Sequence, residues 1–211
     1  TQNQAFSALL LLFREVLGAE LSEMRHNVRA RRGRRLPTVL ARGEVRRLLE
    51  QMEPGYRLMA QLLYGSGLRL SELVRLRVKD LDFENRTVVV KSGKGDRDRV
   101  TLLPGCLAGA LTEHLDRVRK VHEEDLKNGY GETDLPHGLG RKYPGAGQQW
   151  RWQYVFPASR LSVNPRDGKV RRFHMYEKTF QAAIRRAVRR AKLPKRASAH
   201  TLRHRFATHL L

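Results

Sequence analysis

Four residues in three short segments have the side chains that handle a phosphodiester. Arg69 lies in Gly67-Leu68-Arg69-Leu70-Ser71-Glu72-Leu73, Lys94 in Ser92-Gly93-Lys94-Gly95, and His200 and Arg203 in His200-Thr201-Leu202-Arg203. A guanidinium offers a planar fork of donors that matches two phosphate oxygens at once. A lysine of lowered pKa can give a proton to a leaving oxygen, and a histidine can take or give one near neutral pH. Together these groups suit a site that grips a phosphodiester, neutralises the charge that builds up during reaction and moves protons around it. Singly, each is weak: a lone arginine is ordinarily a surface residue and a lysine in a turn is ordinarily solvated. Ser92–Gly95 is not a phosphate-cradling P-loop, because the upstream glycine spacing is wrong and no Ser or Thr follows the lysine.

The elements that must position these residues follow from periodicity and turn chemistry. Glu44–Met52 and Tyr56–Tyr64 have helical spacing, and Gly65 and Gly67 end the second. Ser71 is the expected N-cap of a short helix to Leu76, with Glu72 orienting a neighbouring group. Thr87–Lys91 and Arg99–Leu103 are β-rich, and the Gly/Asp segment between them, carrying Lys94, is a hairpin loop. Pro104 opens a long helix to Asn128, Tyr176–Lys192 forms another, and a last one begins at His200. On that helix His200 and Arg203 share a face, whereas Leu202, Phe206 and Leu210 mark the buried one. His200 and His204 have the spacing of a helical zinc pair, but no Glu stands between them and no third ligand stands out, so no metal is expected. The fold class is mainly α with a small antiparallel β-sheet.

Lys and Arg total 42 against 21 acidic residues, a net charge of +21. A balance this basic points to a polyanionic partner, nucleic acid first. One cysteine, Cys106, excludes a disulfide framework and a cysteine zinc site, and fits a reducing compartment. The apolar run Ala8–Phe13 is too short to span a bilayer, and no membrane partner is expected. Phe6, Leu9, Leu10, Phe13 and Leu17 form a helix that Gly18 can stop, read as the terminal helix (residues 1–25) of an otherwise missing domain. Residues 26–37 are a basic linker, and Arg31, Arg32, Arg34 and Arg35 are candidate contacts to a nucleic-acid backbone. Residues 38–211 form the main domain, with an insertion at about 129–157. There both tryptophans, Trp150 and Trp152, sit with Lys142 among tyrosines and prolines; aromatics among cations can stack bases or can simply pack on the domain. His204 is a further DNA-facing candidate.

In this order and spacing the segments resemble the tyrosine recombinase (phage integrase) family. Gly67-x-Arg69-x-Ser71-Glu72-Leu73-x-x-Leu76-x-x-x-Asp80 is similar to its first arginine box, Lys94 to the lysine of its β-hairpin, and His200-x-Leu202-Arg203-His204-x-Phe206-Ala207-Thr208-His209-Leu210-Leu211 to its second box. Arg141-Lys142-Tyr143-Pro144 and Trp150–Pro157 are similar to the extra segment of integron integrases. The resemblance implies the recombinase catalytic-domain fold and catalytic roles for Arg69, Lys94, His200 and Arg203. It implies site-specific recombination of integron cassettes through a 3′-phosphotyrosyl intermediate, without cofactor or metal. The implied partner is DNA, duplex and folded single-stranded, in the bacterial cytoplasm at the nucleoid, bound as a tetramer by the full-length protein.

In the family the nucleophilic tyrosine follows the second box, whereas Tyr56, Tyr64, Tyr130, Tyr143, Tyr154 and Tyr176 all precede it. The expectation is a chain truncated at both ends that lacks the nucleophile, binds DNA without cleaving it and stays a monomer. The alternatives are a non-catalytic DNA-binding module of the same fold and, on charge alone, an RNA-binding protein.

Overall fold

The computed structural model describes residues 2–19, 39–91, 98–136, 139–165 and 167–209. The chain divides into two compact units, Thr1–Pro37 and Thr38–Leu211. In the first, helix α1 (Gln2–Leu11) runs into a π-helical turn over Leu12–Val16, and Gly18 follows with φ +60°. The apolar spacing does form a helix, but α1 buries none of its residues. The basic linker, with Arg31, Arg32, Arg34 and Arg35, lies outside the described residues.

The second unit is mainly helical, as its periodicity predicts. Helix α2 (Arg42–Glu50) is followed by α3 (Pro54–Ser66), which starts on Pro54 and ends where Gly67 adopts φ +60°. Proline suits a first helical turn, and a left-handed residue that only glycine adopts freely suits the end. Leu58, Met59, Leu62 and Leu63 of α3 form the centre of the core. Gly65 is held by close approach: a Cβ there would lie 2.5 Å from Pro104 Cγ.

Strands β1 (Leu81–Asp82), β2 (Thr87–Val90) and β3 (Arg99–Leu102) form an antiparallel sheet in that order. Val88 and Val90 of β2 face the core. On β3 the expected alternation is inverted, since Val100 and Leu102 face solvent while Arg99 and Thr101 are half-buried. A 3₁₀ turn at Gly105–Leu107 leads into α5 (Ala108–Lys127). Next come α6 (Leu139–Lys142), a second hairpin of β4 (Ser162–Val163) and β5 (Val170–Arg171), α7 (Glu177–Arg190) and α8 (Ala199–His209). Strand β1 and the β4–β5 hairpin, absent from the sequence expectation, are two-residue strands, too short for a periodic signal. Helix α7 turns Phe180, Ala183, Ile184 and Ala187 inward and its arginines outward; α8 packs on α3 through Leu202.

The 129–157 segment is knitted into this unit. The Val78 amide donates to the Gln153 carbonyl at 3.0 Å and the Val155 amide to the Leu76 carbonyl at 2.8 Å. His114 and His122 of α5 reach the Val155 and Gln148 carbonyls at 2.8 and 3.0 Å. Val155 and Phe156 are fully or nearly fully buried. Asp125 of α5 is grasped at both oxygens by Arg172, at 2.5 and 2.8 Å, and Arg172 also donates to the Ala158 carbonyl at 2.9 Å.

Candidate nucleic-acid site around Glu72

Helix α4 (Leu70–Arg75) is six residues long, and a helix that short holds only through its surroundings. The N-cap is Arg69, not Ser71: the Glu72 carboxylate reaches back and accepts the Arg69 backbone amide at 2.6 Å. An acid at the third helical position can serve the amide of the cap residue, which makes a capping hydroxyl unnecessary. Leu73 and Val74, fully buried, anchor the other face of α4.

Glu72 gathers three arginines from three elements. Its Oε1 accepts Arg69 Nη1 at 2.6 Å, its Oε2 accepts Arg99 Nη2 of β3 at 2.6 Å, and Arg203 Nη1 of α8 lies 3.7 Å from the same Oε2. The Glu72 side chain is only 7% exposed, against 38, 33 and 26% for Arg69, Arg99 and Arg203. Burial pushes the Glu72 carboxyl up, but the Arg69 amide and guanidinium and the Arg99 guanidinium outweigh it, and the pKa falls below its ordinary value. Arg203 is shifted down by burial and by Arg69 and Arg99, against the pull of Glu72. Its Nη1 is buried and makes no hydrogen bond. Three guanidiniums against one carboxylate leave an excess of positive charge, and Arg203, held by no hydrogen bond at Nη1, keeps part of its side chain exposed.

His200, one turn before Arg203 on α8, is exposed, and its Nε2 lies 2.7 Å from His204 Nε2 with the rings edge to face. Partial burial, His204 and Arg203 all push the His200 pKa down, towards the neutral imidazole that can accept a proton. Among the described residues no third His, Cys, Asp or Glu joins this pair as a metal ligand. The structure thus brings Arg69 and Arg203 together on one carboxylate, with His200 beside Arg203 on α8. Lys94 falls outside the described residues; its loop is flanked by the Val90–Arg99 pair and by a Lys91–Asp98 ion pair at 2.6 Å.

Arg99 was not singled out in the sequence. No sequence signal finds it: only the folded sheet shows that β3 turns Arg99 and Thr101 inward and Val100 and Leu102 outward.

Beside the cluster a groove of about 610 Å³ runs along α4 and β2, with Glu72, Arg75, Lys79, Trp152, Tyr154 and His174 among its lining residues. Arg77 fastens it: Nη1 donates to the Trp152 carbonyl at 2.5 Å, Nη2 to the Asp134 carbonyl at 2.7 Å, and the guanidinium lies 4.5 Å from the Tyr154 ring centre. Lys79 Nζ sits 4.6 Å from the Trp152 ring centre. Of the insertion candidates, Trp152 lines the groove. Trp150 packs instead against His122 and Arg119 of α5, and exposed Lys142 lies against the Tyr143 ring.

Residues 38–211 match the model of the phage integrase family. An "Integrase/recombinase" of Escherichia coli is 49% identical over 211 residues, and the chain spans 63% of that relative's length. A "Tyrosine recombinase" of Pseudothermotoga lettingae is 32% identical over 180 residues, covering 84% of the chain and 48% of the relative. The crystal structure of XerH site-specific recombinase in a pre-cleavage complex with difH substrate superimposes with a TM-score of 0.57 at 23% identity, over 99% of this chain and 53% of that one. The crystal structure of XerA recombinase does so at 0.55 and 23% identity, over 98 and 60%. The likeness to both is one of fold. With the family model matched from Thr38 through Leu211, the chain belongs to the phage integrase family.

Proposed function

We propose that this chain supplies the phosphate-gripping part of a site-specific DNA recombinase of the tyrosine type. The observation that carries this is the convergence of Arg69, Arg99 and Arg203 on buried Glu72, with Arg203 Nη1 left without a hydrogen bond. A phosphodiester is a monoanion, and attack on it builds up further negative charge. Preorganised guanidiniums stabilise that extra charge most. A tyrosine oxygen attacks phosphorus, the bond to the 5′ oxygen breaks, and the DNA is held as a 3′-phosphotyrosine that conserves the bond energy. His200 assists removal of the tyrosine proton and Lys94 protonates the departing oxygen. The nucleophile in this reading is a tyrosine placed after the second box, a position that none of Tyr56, Tyr64, Tyr130, Tyr143, Tyr154 and Tyr176 holds.

The substrate reading is integron cassette sites, including folded single strands. The groove supports it: Trp152, Tyr154 and His174 beside Lys79 make an aromatic, cationic slot able to hold an unstacked base. The test incubates the protein, in the full length encoded by its reading frame, with a nicked suicide substrate. A covalent DNA adduct, lost in Arg203→Ala, supports the reading. DNA binding with no adduct would favour the non-catalytic module of the same fold.

A further inference from the structure

We infer that Arg99 is a positioning residue of the phosphate site, holding Glu72 by Oε2 so that Arg203 stays available to the substrate. The inference rests on the recombinase reading above and extends it to a residue outside both arginine boxes.

More donors than one oxygen can serve crowd around Glu72 Oε2. Glu72 has two oxygens and three arginine side chains around it, and its Oε2 also takes the Arg69 amide at 2.6 Å. Arg99 Nη2 reaches that Oε2 at 2.6 Å, whereas Arg203 Nη1 stands at 3.7 Å, outside hydrogen-bond range. Arg99 comes from the start of β3, paired with Val90 in the sheet, so its backbone is fixed independently of α4 and α8. The next inward residue on β3, Thr101, hydrogen-bonds the Ser66 carbonyl at the end of α3 at 2.7 Å, which pins the strand to the α3 end that leads into Arg69. With Arg99 in place, Glu72 Oε2 already takes two hydrogen bonds, and Arg203 stays unbonded to it with its side chain partly exposed. Without it, Oε2 is released and Arg203 can close onto Glu72, trading its substrate contact for an internal ion pair.

Two features separate this role from general support of the fold. Arg99 is one-third exposed and its guanidinium is spent on Glu72, so its loss leaves no cavity in the apolar core. It also helps hold the Glu72 carboxyl ionised. Arg69, Arg99 and Arg203 face Glu72 from α4, β3 and α8, while Arg75, Lys79, Lys91, Asp80, Asp134 and His174 line the same groove as Glu72.

The experiment uses the protein in the full length of its reading frame, compares wild type with Arg99→Ala and Arg99→Lys, and follows suicide-substrate adduct formation across acid and neutral pH. Affinity for the same DNA and the thermal midpoint are measured alongside. The expected result is a fall in adduct rate of about a hundredfold for Arg99→Ala, as for misplacement of a transition-state group, with DNA affinity within about threefold. The acid limb of the rate profile moves to higher pH, because Glu72 loses a cation. Arg99→Lys restores part of the rate and returns the acid limb towards wild type. A wild-type adduct rate in Arg99→Ala overturns the inference, as does a slower rate with an unmoved acid limb, which is the mark of a purely structural residue. Absence of any adduct in wild type overturns the recombinase reading and the inference with it.

Discussion

Glu72 binds Arg69 at head and tail: one carboxylate oxygen accepts the Arg69 backbone amide and the other its guanidinium, both at 2.6 Å. The same contact therefore starts α4 and aims the arginine. Local structure and chemistry are not separable here, because the group that caps the helix is the group that orders the site.

Removing that carboxylate should cost stability as well as activity. Glu72→Ala leaves the Arg69 amide without its acceptor and the arginines without a counter-charge, an expected loss of about 1–3 kcal/mol in urea unfolding. Glu72→Gln keeps an acceptor and should lose less. The Glu72 pKa is depressed below its ordinary 4.5. Its contribution is thus complete above that value and is lost as pH falls through the depressed one. The wild-type unfolding midpoint should fall through this acid window by more than that of Glu72→Gln. Superimposable acid profiles would refute the assignment.

The ion pair between Asp125 and Arg172 gives a prediction away from the site. Both side chains are largely buried, at 9 and 17% exposure, and the pair ties α5 to the segment after β5. Asp125→Ala leaves a buried guanidinium with only the Ala158 carbonyl, and should destabilise by about 3 kcal/mol in chemical denaturation. The double variant Asp125→Leu with Arg172→Met should recover a large part of that loss, since an apolar pair needs no counter-charge. Losses that simply add in the double variant would show that the two groups do not act as a pair.

Much of this was legible in the sequence, for identifiable reasons. Helices α3, α5 and α7 announce themselves through apolar spacing and through Pro54, Pro104 and Gly67 at their ends. Arg69, His200 and Arg203 stand in boxes whose spacing carries the family resemblance. The sequence points to Ser71 as the cap of α4, because a hydroxyl is the commoner capping group, whereas the Glu72 carboxylate reaches back three residues to the Arg69 amide. Arg99 itself was missed because a strand's inward face is set by the sheet it joins, which no local pattern states. The groove is not legible for a similar reason: Trp152 and Arg75 come to line one groove only after folding.

The two imidazoles of α8 make a pH-dependent element. Burial, His204 and Arg203 lower the His200 pKa below its ordinary 6.5. A depressed histidine favours the neutral form in the folded state, so its contribution to stability is complete above that value and declines as pH falls through the depressed one. In a ¹H–¹³C NMR titration His200 should titrate below 6.5, and His204→Ala should move it upward without restoring the ordinary value, because burial is the first cause. A His200 titration that ignores His204→Ala would show that the 2.7 Å contact carries no coupling.

Trp152 tests the substrate reading of the groove. If an unstacked base enters the groove against Trp152, affinity for a DNA hairpin bearing one unpaired base should exceed that for the same hairpin with the base deleted. Trp152→Ala should erase about tenfold of that difference, the scale of one base–aromatic stack, while leaving affinity for the base-deleted hairpin close to wild type. Trp150→Ala is the matched control, because Trp150 packs on His122 and Arg119 and does not line the groove. Raising salt should weaken all of these complexes alike, since backbone contacts dominate that dependence. The discrimination between hairpins should survive it, because stacking releases no counterions. Equal loss on both hairpins for Trp152→Ala would assign the residue to general DNA contact and remove the base from the groove.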